Sequence, residues 1–334
     1  MIPDQQAPFP IVLGLLKAAG EVSRLRILAL LAEGELNVTD LTEILGQSQP
    51  RISRHLKLLV EAALVERIRE GSWAFFRLAE GTLKADLLRD LLRRLDPTDR
   101  ILAADRNRLV DVRAARASQA AAYFARHAAD WDRIRALHAS DTVVETALRA
   151  IIGDRPVQAL LDLGTGTGRM LELFAPLAQR AVGVDGSAEM LALARANIER
   201  AGLRNTVVRQ GDLFALPVEQ GAYDLVIIHQ VLHFLDDGAR ALREAARTLR
   251  PGGRMVVVDF APHEIERLRE EAAHRRLGFS REAMEGWLAA AGLAPQEYRL
   301  IVPDDPARQI GVAIWTARDP RILGDAVPVS LEVA

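Results

Sequence analysis

The chain has 334 residues, more than one hydrophobic core usually organises, so two folded units are expected. Its 49% hydrophobic and 26% charged residues have the balance of a globular protein, and a formal net charge of −2 excludes a polycation, so contact with nucleic acid needs a local basic patch. The absence of cysteine excludes disulfides, thiolate nucleophiles and thiolate metal sites, and no metal site is read.

No apolar run reaches the roughly 20 residues that cross a bilayer, and the stretch 10–16 lacks a basic start and a cleavage site. A cytoplasmic protein with no membrane contact is expected.

Residues 10–97 read as short helices followed by one hairpin. Leu25, Ile27, Leu28, Leu30 and Leu31 recur at helical spacing and Gly34 stops that helix. Asn37 is placed to cap a second helix that runs to about Leu45, with Gly46 as its terminator. Ser48, Gln49 and Pro50 open a third through Val60, since proline is tolerated in a first turn. The runs 64–69 and 72–78 then form a hairpin around Glu70, Gly71 and Ser72.

In the third helix Ile52, Leu56 and Leu59 point inward, which leaves Gln49, Arg51, Ser53, Arg54 and Lys57 on the outer face, and no acidic residue occurs from 44 to 60. Such a helix suits a major groove, where arginine pairs with guanine edges and glutamine with adenine. Arg67 and Arg69 on the hairpin would neutralise backbone phosphates.

Leucines from 83 to 95 share one helical face, and Asp96 and Pro97 interrupt the pattern. A long helical stretch follows from about 98 to 138. Leu102, Leu109 and Val112 begin a heptad-like stripe, but Arg116 stands at the next position in step, so no coiled coil is sustained.

From 157 onward strand-like runs alternate with helical ones, the pattern of a parallel sheet covered by helices. The strands read are 159–163, 181–185, 206–210, 225–229 and 254–260, with 296–303 and 311–317 as further candidates. The first strand carries Asp162 and is followed by Gly164, Thr165, Gly166 and Gly168, a turn that lets backbone approach a ligand closely. Arg169 makes the dinucleotide fingerprint incomplete, Asp162 would oppose a pyrophosphate but suit an ammonium and a sulfonium, and Asp185 at the end of the next strand can take both ribose hydroxyls. S-adenosylmethionine fits all three features. His229 and His233, after the fourth strand, are candidate bases if the domain catalyses anything.

Residues 12–95 resemble the ArsR family of winged-helix repressors, through the segment 35–78 that includes QSQPRISRHLK and the wing. The resemblance implies a homodimer on a palindromic double-stranded operator, with 83–95 as a dimerisation helix. Metal-sensing members carry cysteines in the helix before the recognition helix, where this chain has Asn37 and Thr39, so its signal must come from elsewhere.

Residues from about 120 to 317 resemble the class I methyltransferases, especially the group related to ubiquinone and menaquinone C-methyltransferases. That resemblance makes Gly164, Gly166 and Gly168 the cofactor loop, gives ribose and adenine to Asp185, Gly186 and Met190, and sets Gly211, Asp212 and Leu213 at the adenine. It takes YDLVIIHQVLHFLDD at 223–237, with His229 and Gln230 as cofactor contacts, and LRPGGRMVVVD at 249–259 as later motifs. Tyr123 and ADWDRIR at 129–135 look like a lid over the methionine end.

The expected fold is therefore an α+β winged helix-turn-helix domain over 1–97, a helical linker and lid over 98–145, and an α/β Rossmann-like class I methyltransferase domain over 146–334. The expected function is an ArsR-like repressor that binds S-adenosylmethionine or S-adenosylhomocysteine as its signal, and its resemblance to fusion members of the ArsR family implies control of methionine-cycle genes. The alternative is an active small-molecule methyltransferase that regulates its own operon.

Overall fold

The computed structural model describes residues 6–70, 73–128, 131, 141–302 and 310–321. Gly71 and Ser72 of the hairpin turn, most of the 129–138 lid and helix expectation, and Pro303 lie outside them. The chain divides into two units, residues 1–120 with 264–266, and residues 121–263 with 267–334.

In the first unit α1 (Phe9–Ala19) and α2 (Val22–Leu31) precede a two-residue strand β1 (Leu36–Asn37) and α3 (Val38–Leu45). Asn37 caps α3 as expected. Its side chain accepts from the Asp40 amide at 2.9 Å, and the Asp40 carboxylate accepts from the Asn37 amide at 3.2 Å, a reciprocal capping box. Gly46 ends α3 with φ +63°, a conformation that costs glycine no Cβ clash. Helix α4 (Gln49–Glu61) follows, then β2 (Val65–Glu70), β3 (Trp73–Leu78) and α5 (Leu83–Arg93). The three strands form an antiparallel sheet in the order β1-β3-β2.

Ile27, Leu28, Leu41, Ile44, Ile52, Leu56, Leu59 and Phe76 make one core, joined by Leu109 and Val112. The last two come from α6 (Arg100–His127), and most of the expected helical stretch beyond it lies outside the described residues. Residues of α6 up to Ala120 belong to the first unit and the remainder to the second.

The second unit contains α7 (Asp141–Ile152) and seven strands: β4 (Val157–Leu163), β5 (Ala178–Asp185), β6 (Thr206–Gln210), β7 (Tyr223–His229), β8 (Leu249–Phe260), β9 (Ala294–Ile301) and β10 (Val312–Arg318). Their order is β6-β5-β4-β7-β8-β10-β9. Six strands share one direction and β10 runs against both neighbours, which departs from the uniformly parallel sheet expected from the alternating pattern. Helices α8 (Arg169–Phe174), α9 (Ala188–Arg200), α10 (Gly238–Thr248), α11 (Arg267–Glu271) and α12 (Arg281–Ala290) connect them.

The central strands are apolar along their length because helices cover both faces: Leu160, Leu161, Val226, Ile227, Val257 and Val258 are all buried. β8 begins five residues before the expected start. Tyr223 pairs with Leu249 and Leu225 with Arg254, so Pro251, Gly252 and Gly253 form a bulge within the strand rather than a turn before it. The strand order reverses at β4, between β5 and β7, and open α/β sheets bind ligands at such a switch point.

Candidate functional site

The switch point is built by the turn after β4. Gly164, Gly166 and Gly168 have φ values of +68°, +53° and +87°. Gly164 is required on a second ground: a Cβ there would stand 2.3 Å from Val231 Cγ2, in the turn after β7. Gly168 closes the loop as the N-terminal flank of α8.

Two carboxylates organise this loop. Asp162 is 1% exposed; the Thr165 hydroxyl donates to its Oδ2 at 2.6 Å, while Oδ1 is buried without a partner. Burial, opposed by the Thr165 hydrogen bond and reinforced by the nearby Asp185 charge, pushes the Asp162 carboxyl up to about 7. Asp185 ends β5, where Gly166 N–H donates to its Oδ2 and Ser187 N–H to its Oδ1, both at 2.8 Å. Burial raises its pKa in spite of the amides of Ser187, Gly166 and Gly186, which lower it.

Ser187 then caps α9, its Oγ accepting from the Met190 amide at 3.2 Å. Met190 is buried against the sheet, while Gly186 is exposed and its carbonyl accepts from Gln210 Nε2 at 3.0 Å. Gly211 N–H donates to the Asp185 carbonyl at 3.0 Å. Exposed Asp212 folds its carboxylate back onto the Phe214 amide at 2.9 Å, beside half-buried Leu213. The sequence-predicted ribose and adenine residues therefore stand on the consecutive ends of β5 and β6.

Across the switch point, β7 ends at half-buried His229. Gln230 is 7% exposed, has φ +53° without being glycine, and leaves its Nε2 buried and unpaired. A left-handed non-glycine backbone and an unsatisfied buried donor both carry a free-energy cost at this strand end. Asp162 Oδ1 and Gln230 Nε2 are thus a buried acceptor and a buried donor at the ends of two adjacent strands. That pairing suits a zwitterionic amino-acid group, and the residues present fit the methionine end of S-adenosylmethionine.

His233 is only 2% exposed. Its Nδ1 lies 2.7 Å from Asp259 Oδ1, its amide donates to Asp259 Oδ2 at 3.3 Å, and its ring packs on Phe260 and His274 at 4.7 and 4.3 Å between centroids. Asp259 is fully buried at the end of β8 and escapes sequence reasoning because 26 residues separate it from His233.

Tyr123 is buried, which raises its phenol pKa, and its ring lies 4.5 Å from His127 and 6.5 Å from Trp131. Phe124 and Phe234, absent from the sequence reading, bridge the group: Phe124 is 5.2 Å from Trp131 and 4.8 Å from Phe234. Trp131 Nε1 is 3.8 Å from the position a Cβ of Gly166 would take.

In the first unit α4 presents the composition expected of a groove-reading helix. Ile52, Leu56 and Leu59 are at most 1% exposed, and Gln49, Arg51, Ser53, Arg54 and Lys57 are all exposed. Arg67 and Arg69 alternate outward along β2. Lys57 pairs with Glu61 at 3.8 Å, whereas Arg51, Arg54, Arg67 and Arg69 make no ion pair among the described residues. His55, half-buried on α4, has Nδ1 3.5 Å from Glu21, and burial lowers its pKa.

Comparison with known proteins matches residues 21–67 to the family Bacterial regulatory protein, arsR, and residues 161–257 to the family Methyltransferase domain. The chain carries an arsR-family helix-turn-helix and a class I methyltransferase domain. Curated relatives of the second domain include the uncharacterized methyltransferase YcgJ of Bacillus subtilis, 32% identical over 33% of this chain and 44% of the relative. Demethylmenaquinone methyltransferase of Thermus thermophilus is 41% identical over 33% of this chain and 50% of its own length. Arsenite methyltransferase of Aquipseudomonas alcaligenes is 37% identical over 30% and 32%. The chain thus spans half or less of the length of these relatives.

Among solved structures, the complex of the Haloferax volcanii Trm112 methyltransferase activator with its assigned methyltransferase contains a chain that superposes with TM-score 0.50 at 22% identity, over 59% of this chain and 98% of that one. This likeness concerns the fold alone; the match of residues 161–257 to the methyltransferase family is what implies S-adenosylmethionine as cofactor. No helix among the described residues is long and apolar enough to cross a membrane.

Proposed function

We propose that this protein is an ArsR-like transcriptional repressor, a cytoplasmic homodimer on double-stranded operator DNA, whose methyltransferase domain binds S-adenosylmethionine or S-adenosylhomocysteine as the signal. Residues 1–97 bind DNA and dimerise, 98–145 link and cover, and 146–334 bind the ligand. Control of methionine-cycle genes is part of the proposal by resemblance to ArsR-family fusion members alone. The observation that carries the reading is the coexistence, in one chain without cysteine, of arginines at 51 and 54 that make no ion pair among the described residues, on a groove-sized helix, with Asp162 Oδ1 and Gln230 Nε2, both buried and without a partner among the described residues.

Asp162 and Gln230 hold the amino-acid end, Gly164, Thr165, Gly166 and Gly168 line the loop, and Asp185 with Gly186, Met190, Gly211, Asp212 and Leu213 takes the nucleoside, His229 standing alongside. When bound, S-adenosylmethionine supplies an electrophilic methyl group on a sulfonium. Tyr123 belongs to the cover over that end.

Asp162 gives the binding a pH dependence. Its folded pKa of about 7 lies above the ordinary carboxyl value of 3.8, so the folded chain holds a proton that the unfolded chain has lost, and stability without ligand falls as pH rises from about 4 to about 7. A ligand ammonium favours the carboxylate and releases that proton. Affinity for the adenosyl ligand should therefore rise between pH 5.5 and 7, by at most about tenfold per unit for one proton, below the range of about 7.7–8.0 where a ligand amine itself titrates. Calorimetry on the wild type and Asp162→Asn checks it; an equal slope in both would detach Asp162 from the ligand.

The second reading, a working small-molecule methyltransferase that also regulates its operon, is favoured by the His233–Asp259 pair, since Asp259 holds one imidazole nitrogen and leaves the other to accept a proton. His233 is 2% exposed and packed between Phe260 and His274, which restricts its access to an acceptor and supports the sensor first. Operator affinity measured with and without each saturating adenosyl compound tests the sensor: a change of about fivefold or more is expected, and no change with either favours the enzyme.

A further inference from the structure

Helix α6 meets the helix-turn-helix through charge where apolar contact would serve. Its inward face is Asp105, Leu109, Val112 and Arg116, at spacings of four, three and four, which lie one above another on a helix. Leu109 and Val112 enter the core, and the flanking positions of the stripe are ionic.

Asp105 is 1% exposed and takes the Arg26 guanidinium in a fork, 2.6 Å to each oxygen. Arg108 also pairs with Asp105, and its Nε donates to the carbonyl of Ile44 in the last turn of α3, where helix carbonyls lack a partner within the helix. Arg116 pairs with Asp40, likewise 1% exposed, which also completes the capping box at the start of α3. Arg108 and Arg116 therefore grip α3 at its two ends. Helix α3 in turn shares its core residues Leu41, Ile44 and Leu45 with Ile52 and Leu56 of α4.

Buried ion pairs add little net stability over apolar residues of the same volume, but they penalise every arrangement in which the partners separate, and register or switching is their best-attested use. Two such pairs on one helix face specify how α6 is seated on α3. The same helix continues to Tyr123 and Phe124, which in the second unit pack with Trp131 and Phe234.

We propose that the Arg116–Asp40 and Arg108–Ile44 contacts are the device through which α6 delivers the state of the ligand-binding domain to the DNA-reading helix. This rests on the sensor reading above. The loss of Arg116 leaves the ligand loop and the α4 arginines untouched, so binding of each should persist while their coupling disappears.

The test uses the full chain, a labelled operator duplex, and S-adenosylmethionine and S-adenosylhomocysteine as ligands. In the wild type the more effective compound should change operator affinity at least about fivefold. In Arg116→Gln that factor should fall below about twofold, with ligand affinity and ligand-free operator affinity within about threefold of wild type. Asp111→Asn, an exposed position on the same helix, should keep the full factor. Should Arg116→Gln fail to fold, Arg116→Lys, which keeps the charge but not the planar guanidinium, replaces it and should lower the factor partway. A wild-type response retained in full by a folded Arg116 variant overturns the device alone. A wild type with no response to either compound, binding being confirmed, overturns the sensor reading and the device with it.

Discussion

Replacing Arg51 and Arg54 together by alanine should remove sequence-specific operator binding and leave the fold intact. Both side chains are exposed on α4, neither forms an ion pair among the described residues, and Ile52 between them carries the packing. A good side-chain contact to a base edge is worth about 1–3 kcal/mol, so losing two costs at least about 2 kcal/mol, roughly 30-fold in affinity. Because α4 is held by Leu56 and Leu59 as well, the melting temperature should hardly move. Fluorescence anisotropy on operator and on scrambled duplex measures the effect. A double variant that still prefers the operator by the wild-type ratio would take α4 out of the groove.

Asp185→Ala should produce the largest loss at the adenosyl site. The carboxylate already accepts from the amides of Gly166 and Ser187, and its two oxygens have about four lone-pair sites, so two remain for ribose hydroxyls. Alanine removes the ligand's charged acceptor and also releases the loop and the start of α9. Hydrogen bonds to a charged group contribute about 1.5–3 kcal/mol, which predicts a loss of about 10- to 150-fold or more. Asp185→Asn, which keeps one acceptor oxygen, should fall between. Unchanged affinity in Asp185→Ala by calorimetry would mean that the ribose is held elsewhere.

Local chemistry made much of this fold legible. Asn37, Gly46 and Pro50 bound α3 and α4 because caps and breakers act within a few residues, and the run 206–210 forms the strand its composition suggests. The three glycines and Asp185 were recognisable by their spacing alone. What escaped depends on partners distant in the chain. The reversed direction of β10 is set by its neighbours β8 and β9, and the part of β8 before Arg254 is visible as strand only once Tyr223 pairs with Leu249. Arg116 reads as the break in a heptad stripe, and its purpose is visible only once Asp40, 76 residues earlier, lies against it. His233 reads as a free base for the same reason, its partner Asp259 being 26 residues away.

The central claim is a thermodynamic link between the DNA helix and the adenosyl site, and linkage is reciprocal. The direct measurement is a calorimetric titration of the full chain with S-adenosylmethionine, and separately with S-adenosylhomocysteine, alone and saturated with operator duplex. For at least one compound operator should change the dissociation constant by about 5- to 150-fold, equal to the factor by which that compound changes operator affinity, corresponding to a coupling of about 1–3 kcal/mol. Dissociation constants that are the same with and without operator for both compounds would contradict the account.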